Sequence, residues 1–215
     1  MESGVTHLLV VDCEHTSREA NHGFVPWFGA ALIDVARGER ADAFSSFARA
    51  PRYADEWGAS CVANFWKTAN KDNYARVLAA LPTAPAAYDA GSAFLAWVDT
   101  LVARYGAKRM QLTFNTSGFD YMHLTSLLPP GERSLLYLFD RNDYWPTFNT
   151  SAFYAGVARR GPTRAPWGVG FAGACAALGV DVPKFDVEHD HDPLNDATRI
   201  GLEAAYVLRA LDRGA

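Results

Sequence analysis

The sequence has few cysteines, no long apolar run and no excess of basic residues. Its three cysteines, Cys13, Cys61 and Cys175, are too few and too widely spaced to predict a disulfide framework or a zinc site. No stretch approaches the roughly 18 apolar residues of a membrane span, and the N-terminus lacks a signal-peptide pattern. We therefore expect a protein of a reducing, cytoplasmic compartment that does not enter the membrane.

The charge of the chain also limits its partners. A net charge of −4 argues against a large basic groove for long duplex DNA. It does not exclude an enzyme that binds a few nucleotides through metal ions. With 215 residues, 49% of them apolar and 20% charged, the chain has the composition of a globular protein. No repeat or linker divides it, so we expect one domain over residues 1–215.

Apolar patterning predicts strands first and then helices that alternate with strands. This order is typical of an α/β fold with a mixed central β-sheet flanked by α-helices. The predicted strands are the apolar run that begins at residue 7, the latter half of 24–34, and 43–48, 110–114 and 134–139. The predicted helices are 62–81, with Ser60 as its N-cap, then 90–105, 119–128, 149–159, 168–178 and 193–211.

The first strand ends in two acids separated by one residue. Strand side chains alternate, so Asp12 and Glu14 are expected on one side and Cys13 on the other. Two adjacent carboxylates at the end of a buried strand repel each other and are costly to desolvate, unless a cation lies between them. Two interpretations stay open at this point: a cation site, or a strand that simply ends in a polar loop.

Two more acids lie on the apolar sides of predicted helices. Asp120 shares a face with the leucines at offsets of four, seven and eight, and Asp196 lies near the apolar stripe of the last helix. Each could instead be an ordinary first-turn acid. Together with Asp12 and Glu14 they form an oxygen-only set that suits Mg²⁺ or Mn²⁺. Two such ions support phosphoryl transfer, and His191 could deprotonate a water molecule.

Three motifs in this order resemble the DEDDh branch of 3′–5′ exonucleases, which includes RNase T and oligoribonuclease. The first is Asp12-Cys13-Glu14 after an apolar strand. The second is Asn115 a few residues before Phe119-Asp120. The third is His191 five residues before Asp196, which alanine follows. The Phe65-Trp66 pair is similar to the phage and mycobacterial exoribonuclease-like branch.

The resemblance implies an RNase H-like fold and a two-metal-ion mechanism. In that case Asp12, Glu14, Asp120 and Asp196 hold two divalent ions, Mg²⁺ or Mn²⁺, and His191 is the general base. The implied partner is the 3′ end of single-stranded RNA or DNA, from which nucleoside 5′-monophosphates are released. Many members are homodimers. The candidate substrate contacts are His15, Thr16, Asn115, Phe119, Phe65 and Trp66. His15 departs from the threonine that many members have after the glutamate.

Alternatives remain for several of these residues. His189 is a second candidate base, although it lacks the spacing to Asp196 that His191 has. His189 and His191 could also be a histidine pair of another metal-dependent hydrolase, but no matching motif accompanies them. Asn115 could cap a turn, and most of the aromatic residues could be core. A catalytically degenerate exonuclease-like module that binds nucleic acid or protein is the non-enzymatic alternative.

Overall fold

The computed structural model describes residues 4–17, 23–50, 57–115, 119–129, 148–160 and 169–214. Its strands form one mixed sheet in the order β3-β2-β1-β4-β5. The first three are joined antiparallel, whereas β1, β4 and β5 run parallel. The strands are β1 His7–Glu14, β2 Trp27–Asp34, β3 Glu39–Phe47, β4 Met110–Phe114 and β5 Phe148–Asn149.

Helices flank this sheet, as the sequence predicts for an α/β fold. None of them, within the part of the chain that the structure describes, is long and apolar enough to cross a membrane. The helices are α1 Ala59–Cys61, α2 Lys71–Ala80, α3 Ala87–Tyr105, α4 Phe119–Leu127, α5 Thr150–Arg160, α6 Phe171–Leu178 and α7 Pro193–Asp212. A π-helical turn, Val62–Trp66, follows α1.

The central strand β1 is buried on both of its faces. Leu9, Val11 and Cys13 pack with α3 and α4 on one face of the sheet. Leu8 and Val10 pack with the small residues of α7 on the other face. Because side chains alternate along a strand, Asp12 and Glu14 belong to the α7 face, beyond the last apolar residue. The predicted opposition of Cys13 to the two acids is therefore confirmed.

The region after β3 differs from the prediction of one helix over 62–81. The chain instead forms α1, the π-helical turn and α2, and Gly58 rather than Ser60 is the N-cap of α1. The cause is a long-range contact: the Trp66 indole N–H donates to the His15 carbonyl oxygen over 2.7 Å, which holds the turn against the end of β1. The strand predicted at 134–139 lies outside the described residues.

Gly29 allows α7 to begin directly on the sheet. It is the β2 partner of Asp12, and a β-carbon at Gly29 would lie 2.4 Å from the Leu194 backbone nitrogen. Residues paired in register point to the same face, so the space next to Asp12 is filled by the first turn of α7. The absence of a side chain at Gly29 thus brings Asp196 close to Asp12.

Replacing Gly29 with alanine should separate these two elements. We expect a loss of about 1–3 kcal/mol in the free energy of unfolding, because the new methyl group meets backbone atoms that cannot turn away. Chemical denaturation measures the effect. Gly156→Ala is the matched control, since a β-carbon at Gly156 in α5 meets open space and should raise stability by about 0.5–1 kcal/mol. Equal effects of the two substitutions on the free energy of unfolding would contradict the conclusion that α7 packs directly on Gly29.

Candidate active site

Four carboxylates from three separate elements meet at the C-terminal end of β1. Asp12 and Glu14 come from the strand, Asp120 from the first turn of α4, and Asp196 from the first turn of α7. Glu14, Asp120 and Asp196 are only 5%, 6% and 9% exposed. The prediction that both helical acids point inward is confirmed. A group of buried carboxylates is unfavourable unless cations compensate it, which makes this an electrostatically unusual point among the described residues.

The carboxylates perturb one another strongly. Burial raises the pKa of Asp12 well above its usual range, and the nearby charges of Asp120, Glu14 and Asp196 raise it further. Burial also raises the pKa of Glu14, with Asp196 and Asp120 the next largest causes. These two groups therefore bind protons more tightly than ordinary carboxyls, which is the effect of repelling charges that a divalent cation would offset, and their oxygen atoms are the donors that Mg²⁺ and Mn²⁺ prefer.

His191 lies at the open side of this cluster. Its Nδ1 is 3.8 Å from Glu14 Oε1, its side chain is 44% exposed, and its ring meets Phe65 edge-on at 4.9 Å. Donor atoms of Glu14, His191 and Asp196 lie within 4.8 Å of one another, close enough to share a cation. The backbone of His191 has φ +60, a conformation that costs energy for a residue with a side chain and is found at functional sites.

The loop that carries His191 is held from both ends. Asp192 caps α7, and its Oδ1 accepts from the Leu194 backbone N–H over 3.0 Å. From α2, Arg76 donates to Asp192 Oδ2 over 2.7 Å, and the Asn73 side-chain amide donates to the Asp190 carbonyl oxygen over 2.9 Å. These contacts fix the unusual backbone of His191, so α2 acts as its support.

His189 is about as exposed as His191, with 48% of its side chain accessible, and it contacts two acids of α7. Its Nδ1 is 3.5 Å from Asp196 Oδ1, and its Nε2 is 3.8 Å from Oε1 of the buried Glu203. Asp196 Oδ1 also accepts the Asp190 backbone N–H, and Glu203 pairs with Arg199 at 2.7 Å. The two carboxylates, Asp196 first, raise the pKa of His189 to about 9. His189 is therefore engaged by two acids of α7, whereas His191 contacts Glu14 of β1.

The His189 contacts predict a pH dependence of stability. A histidine whose pKa rises from 6.5 to about 9 on folding stabilises the protein fully below pH 6.5, and this stabilisation is lost as the pH rises through 9. We expect metal-free His189→Gln to lose this dependence. Denaturant unfolding in a chelator between pH 6 and 10 measures it. Parallel curves for the two proteins over that range would contradict the assignment.

Two predicted substrate contacts, His15 and Phe119, lie beside Asp120. The His15 side chain is 10% exposed, and its Nε2 is 3.6 Å from Asp120 Oδ1. The His15 ring packs against Phe119 at 4.5 Å and against His123 at 3.9 Å. Burial, with a contribution from His15, lowers the pKa of His123 to about 4, so His123 is neutral at physiological pH.

The other predicted substrate contacts have structural partners. Trp66 is fully buried, so Phe65 is the member of that pair with exposed surface next to His191. The Thr16 hydroxyl is buried and accepts the Phe24 backbone N–H over 2.9 Å. Asn115 Oδ1 accepts from the Ser151 hydroxyl over 3.0 Å. This contact ties Asn115 to α5, and the turn that the sequence predicts Asn115 to cap lies at 116–118, outside the described residues. The core interpretation fits Trp66.

Several residues that shape the site have no signature in the sequence. Asn73 and Arg76 lie more than a hundred residues before the loop that they hold, and Gly29 acts only through the packing of α7. Glu203 carried one usable signal: it follows Asp196 by seven residues and therefore shares its face of α7. A second buried acid on that face could have been suspected from the spacing.

Comparison with solved structures confirms the fold. The chain is similar to the nuclease domain of 3′hExo, described as a DEDDh family member bound to rAMP, with a TM-score of 0.55, 16% identity and coverage of 97% of this chain and 94% of that one. It is similar to cell-death related nuclease 4, CRN-4, with a TM-score of 0.57, 17% identity and coverage of 98% and 65%. Exonuclease I has a TM-score of 0.55, 12% identity and coverage of 97% and 43%.

No protein-family profile matches the sequence, and the comparison with curated proteins finds no match. The structural similarities, at these low identities, establish the architecture: the chain has the RNase H-like α/β fold of DEDDh exonuclease domains. The predicted fold class is confirmed, and so is the resemblance to these exonucleases at the level of the fold. The RNase T, oligoribonuclease and exoribonuclease-like branches stay predictions.

Proposed function

We propose that this protein is a metal-dependent 3′–5′ exonuclease that hydrolyses single-stranded nucleic acid to nucleoside 5′-monophosphates. The observation that supports the proposal is the meeting of Asp12, Glu14, Asp120 and Asp196 at the end of β1, with His191 beside them. The supporting fold is the one that DEDDh exonuclease domains use. Although Asp196 also accepts the Asp190 backbone N–H, the meeting of four carboxylates is costly, and a bound cation would offset that cost.

The four carboxylates would hold two divalent cations, Mg²⁺ or Mn²⁺. The residues fit such ions, because the donor set is rich in oxygen and its members repel one another when it lacks a cation. When bound, two cations stabilise the charge of the attacking and leaving oxygens in phosphodiester hydrolysis. The chain supplies the geometry: β1 fixes two acids, and Gly29 brings the α7 acid to them.

His191 would accept the proton of the attacking water. Its exposed ring lies next to Glu14 and is held by a loop with fixed backbone geometry. An imidazole is suited to this step because it changes protonation near neutral pH. His189 is less suited, because Asp196 and Glu203 engage it on both nitrogens.

The substrate would be the 3′ end of a single strand. Phe65 beside His191 and Phe119 beside His15 border the carboxylates, and aromatic rings accept any base by stacking. His15 borders the same space, whereas Thr16, Asn115 and Trp66 would act mainly by supporting the surrounding chain. Among similar structures, the 3′hExo domain is bound to rAMP and an E. coli exonuclease I structure contains a dT13 oligonucleotide. A homodimer stays a prediction from the resemblance.

A cleavage assay with matched RNA and DNA oligonucleotides tests this function. With Mg²⁺ or Mn²⁺, a 5′-labelled strand should shorten stepwise and a 3′-labelled strand should lose its label in the first step. Chromatography should identify 5′-monophosphates, and a chelator should stop the reaction. The ratio of the RNA cleavage rate to the DNA cleavage rate shows which nucleic acid is the preferred substrate. If both strands stay intact with either metal while binding to the protein persists, the chain is instead a degenerate binding module.

A further inference from the structure

His15 is a buried imidazole with no hydrogen-bond partner among the described residues. Its side chain is nine-tenths buried, and neither Nδ1 nor Nε2 is hydrogen-bonded. Burying a polar nitrogen without a partner is unfavourable, and native structures rarely do so without a reason. The chain nevertheless fixes this residue, because the His15 carbonyl oxygen accepts the Trp66 indole N–H over 2.7 Å.

The surrounding rings hold His15 beside Asp120. Phe119 packs edge-on at 4.5 Å and His123 packs at 3.9 Å, so the ring is held between these side chains and Asp120. His123 does not satisfy it, since His123 Nε2 also lacks a hydrogen-bond partner. Of the two unpartnered nitrogens of His15, Nε2 is the one that lies near a carboxylate, 3.6 Å from Asp120 Oδ1.

The 3.6 Å between His15 Nε2 and Asp120 Oδ1 is too long for a hydrogen bond. Two ligand atoms that share one cation, each about 2.1 Å from it at bond angles of about 90–109°, lie about 3.0–3.4 Å apart. The separation of His15 Nε2 from Asp120 Oδ1 is therefore close to that of two donors that share a cation. A small movement of either side chain would complete such a pair.

We infer that His15 is a nitrogen ligand on the Asp120 side of the metal centre. The inference rests on the proposed function and specifies the kind of metal that this centre prefers. Carboxylates alone suit Mg²⁺ and Mn²⁺, whereas an added imidazole favours later transition metals such as Co²⁺. The residue after Glu14 then tunes metal choice in this chain, instead of serving only as a contact to the terminal nucleotide.

Direct metal binding tests the inference without relying on activity. Metal-free wild-type protein is titrated with Co²⁺ and Mg²⁺ separately, together with His15→Thr and His15→Gln. We expect both substitutions to weaken Co²⁺ binding by about 10–100-fold and Mg²⁺ binding by a smaller factor. Two variants are used so that a folding defect in one, seen by circular dichroism, leaves the other to decide. An unchanged ratio of Co²⁺ to Mg²⁺ affinity in both variants would overturn the inference.

Pulsed electron paramagnetic resonance of bound Mn²⁺ identifies the ligand atom. A coupling to a directly bound imidazole nitrogen should be present in the wild-type protein and in His191→Asn, and absent in His15→Gln. The His191 variant is needed because His191 also lies within reach of two carboxylates. A coupling that persists in His15→Gln but disappears in His191→Asn would assign the nitrogen to His191 and refute the inference.

Oligonucleotide cleavage measured on the same preparations separates the two proposals. Cleavage with Mg²⁺ or Mn²⁺ but without nitrogen coupling would refute the His15 assignment and leave the exonuclease proposal standing. A wild-type protein that binds no divalent cation and cleaves no strand would refute both.

Discussion

Asp12→Asn should make the metal-free protein more stable and nearly inactive. The pKa values of Asp12 and Glu14 are raised by burial and by the neighbouring carboxylates, so the folded state binds protons more tightly than the unfolded state. The free energy of unfolding therefore falls as the pH rises above the ordinary carboxyl range. A neutral amide at Asp12 removes one member of the repelling group, and we expect the metal-free melting temperature at pH 8 to rise by roughly 2–8 °C.

The same substitution should remove the effect of divalent cations. Mg²⁺ or Mn²⁺ should raise the melting temperature of the wild-type protein and should have little effect on Asp12→Asn, because ligand binding to the folded state alone stabilises it. We expect nuclease activity to fall by about 10³-fold or more. Melting curves with and without metal, at pH 5 and pH 8, measure these changes.

Asp99→Asn is the matched control for Asp12→Asn. Asp99 is an exposed residue of α3, a helix that carries none of the four carboxylates, so its replacement should change neither activity nor the metal-dependent shift. If Asp12→Asn lowered the metal-free melting temperature at pH 8, or kept the cation effect, the electrostatic account of the site would be wrong.

His191→Asn is expected to lower kcat by about 10²–10⁴-fold, the usual contribution of a general base. Divalent cation affinity should change little if His191 moves a proton and the carboxylates hold the metal. Single-turnover cleavage combined with Mn²⁺ titration separates the two effects. A loss of metal affinity in parallel with kcat would make His191 a ligand, as its distances to Glu14 and Asp196 also permit.

His189→Gln is the comparison for His191→Asn, because both histidines lie in one loop. His189 contacts Asp196 and Glu203 and supports a carboxylate, so we expect its loss to lower activity by about tenfold. If His189→Gln were the more damaging substitution, the general base would be His189.

The sequence predicts the acids of the site better than their surroundings. Strand alternation places Asp12 and Glu14 together, and Pro193 correctly marks the start of α7. Both are local properties of the chain. The structure of residues 62–81 depends on a contact that is distant in sequence. Trp66 donates to the His15 carbonyl oxygen, and the predicted single helix is instead a π-helical turn followed by α2.

The supports of the site depend on tertiary packing. Arg76 binds Asp192 across more than a hundred residues, while its guanidinium lies over the Trp27 ring at 4.3 Å. No periodicity in α2 encodes that contact. In the sequence Gly29 is an ordinary strand residue, and its role is visible only in the packing of α7 against it. A pattern in one sequence can therefore identify charged ligands, but not the distant residues that position them.

The most direct measurement compares purified wild-type protein and Asp12→Asn on a 5′-labelled single strand with Mg²⁺ or Mn²⁺. If the four carboxylates form the catalytic metal centre of an exonuclease, the wild-type protein will shorten the strand from its 3′ end and release 5′-monophosphates. The variant, although folded, will leave the strand intact. Equal cleavage by both proteins, or cleavage that continues in a chelator, would contradict this assignment.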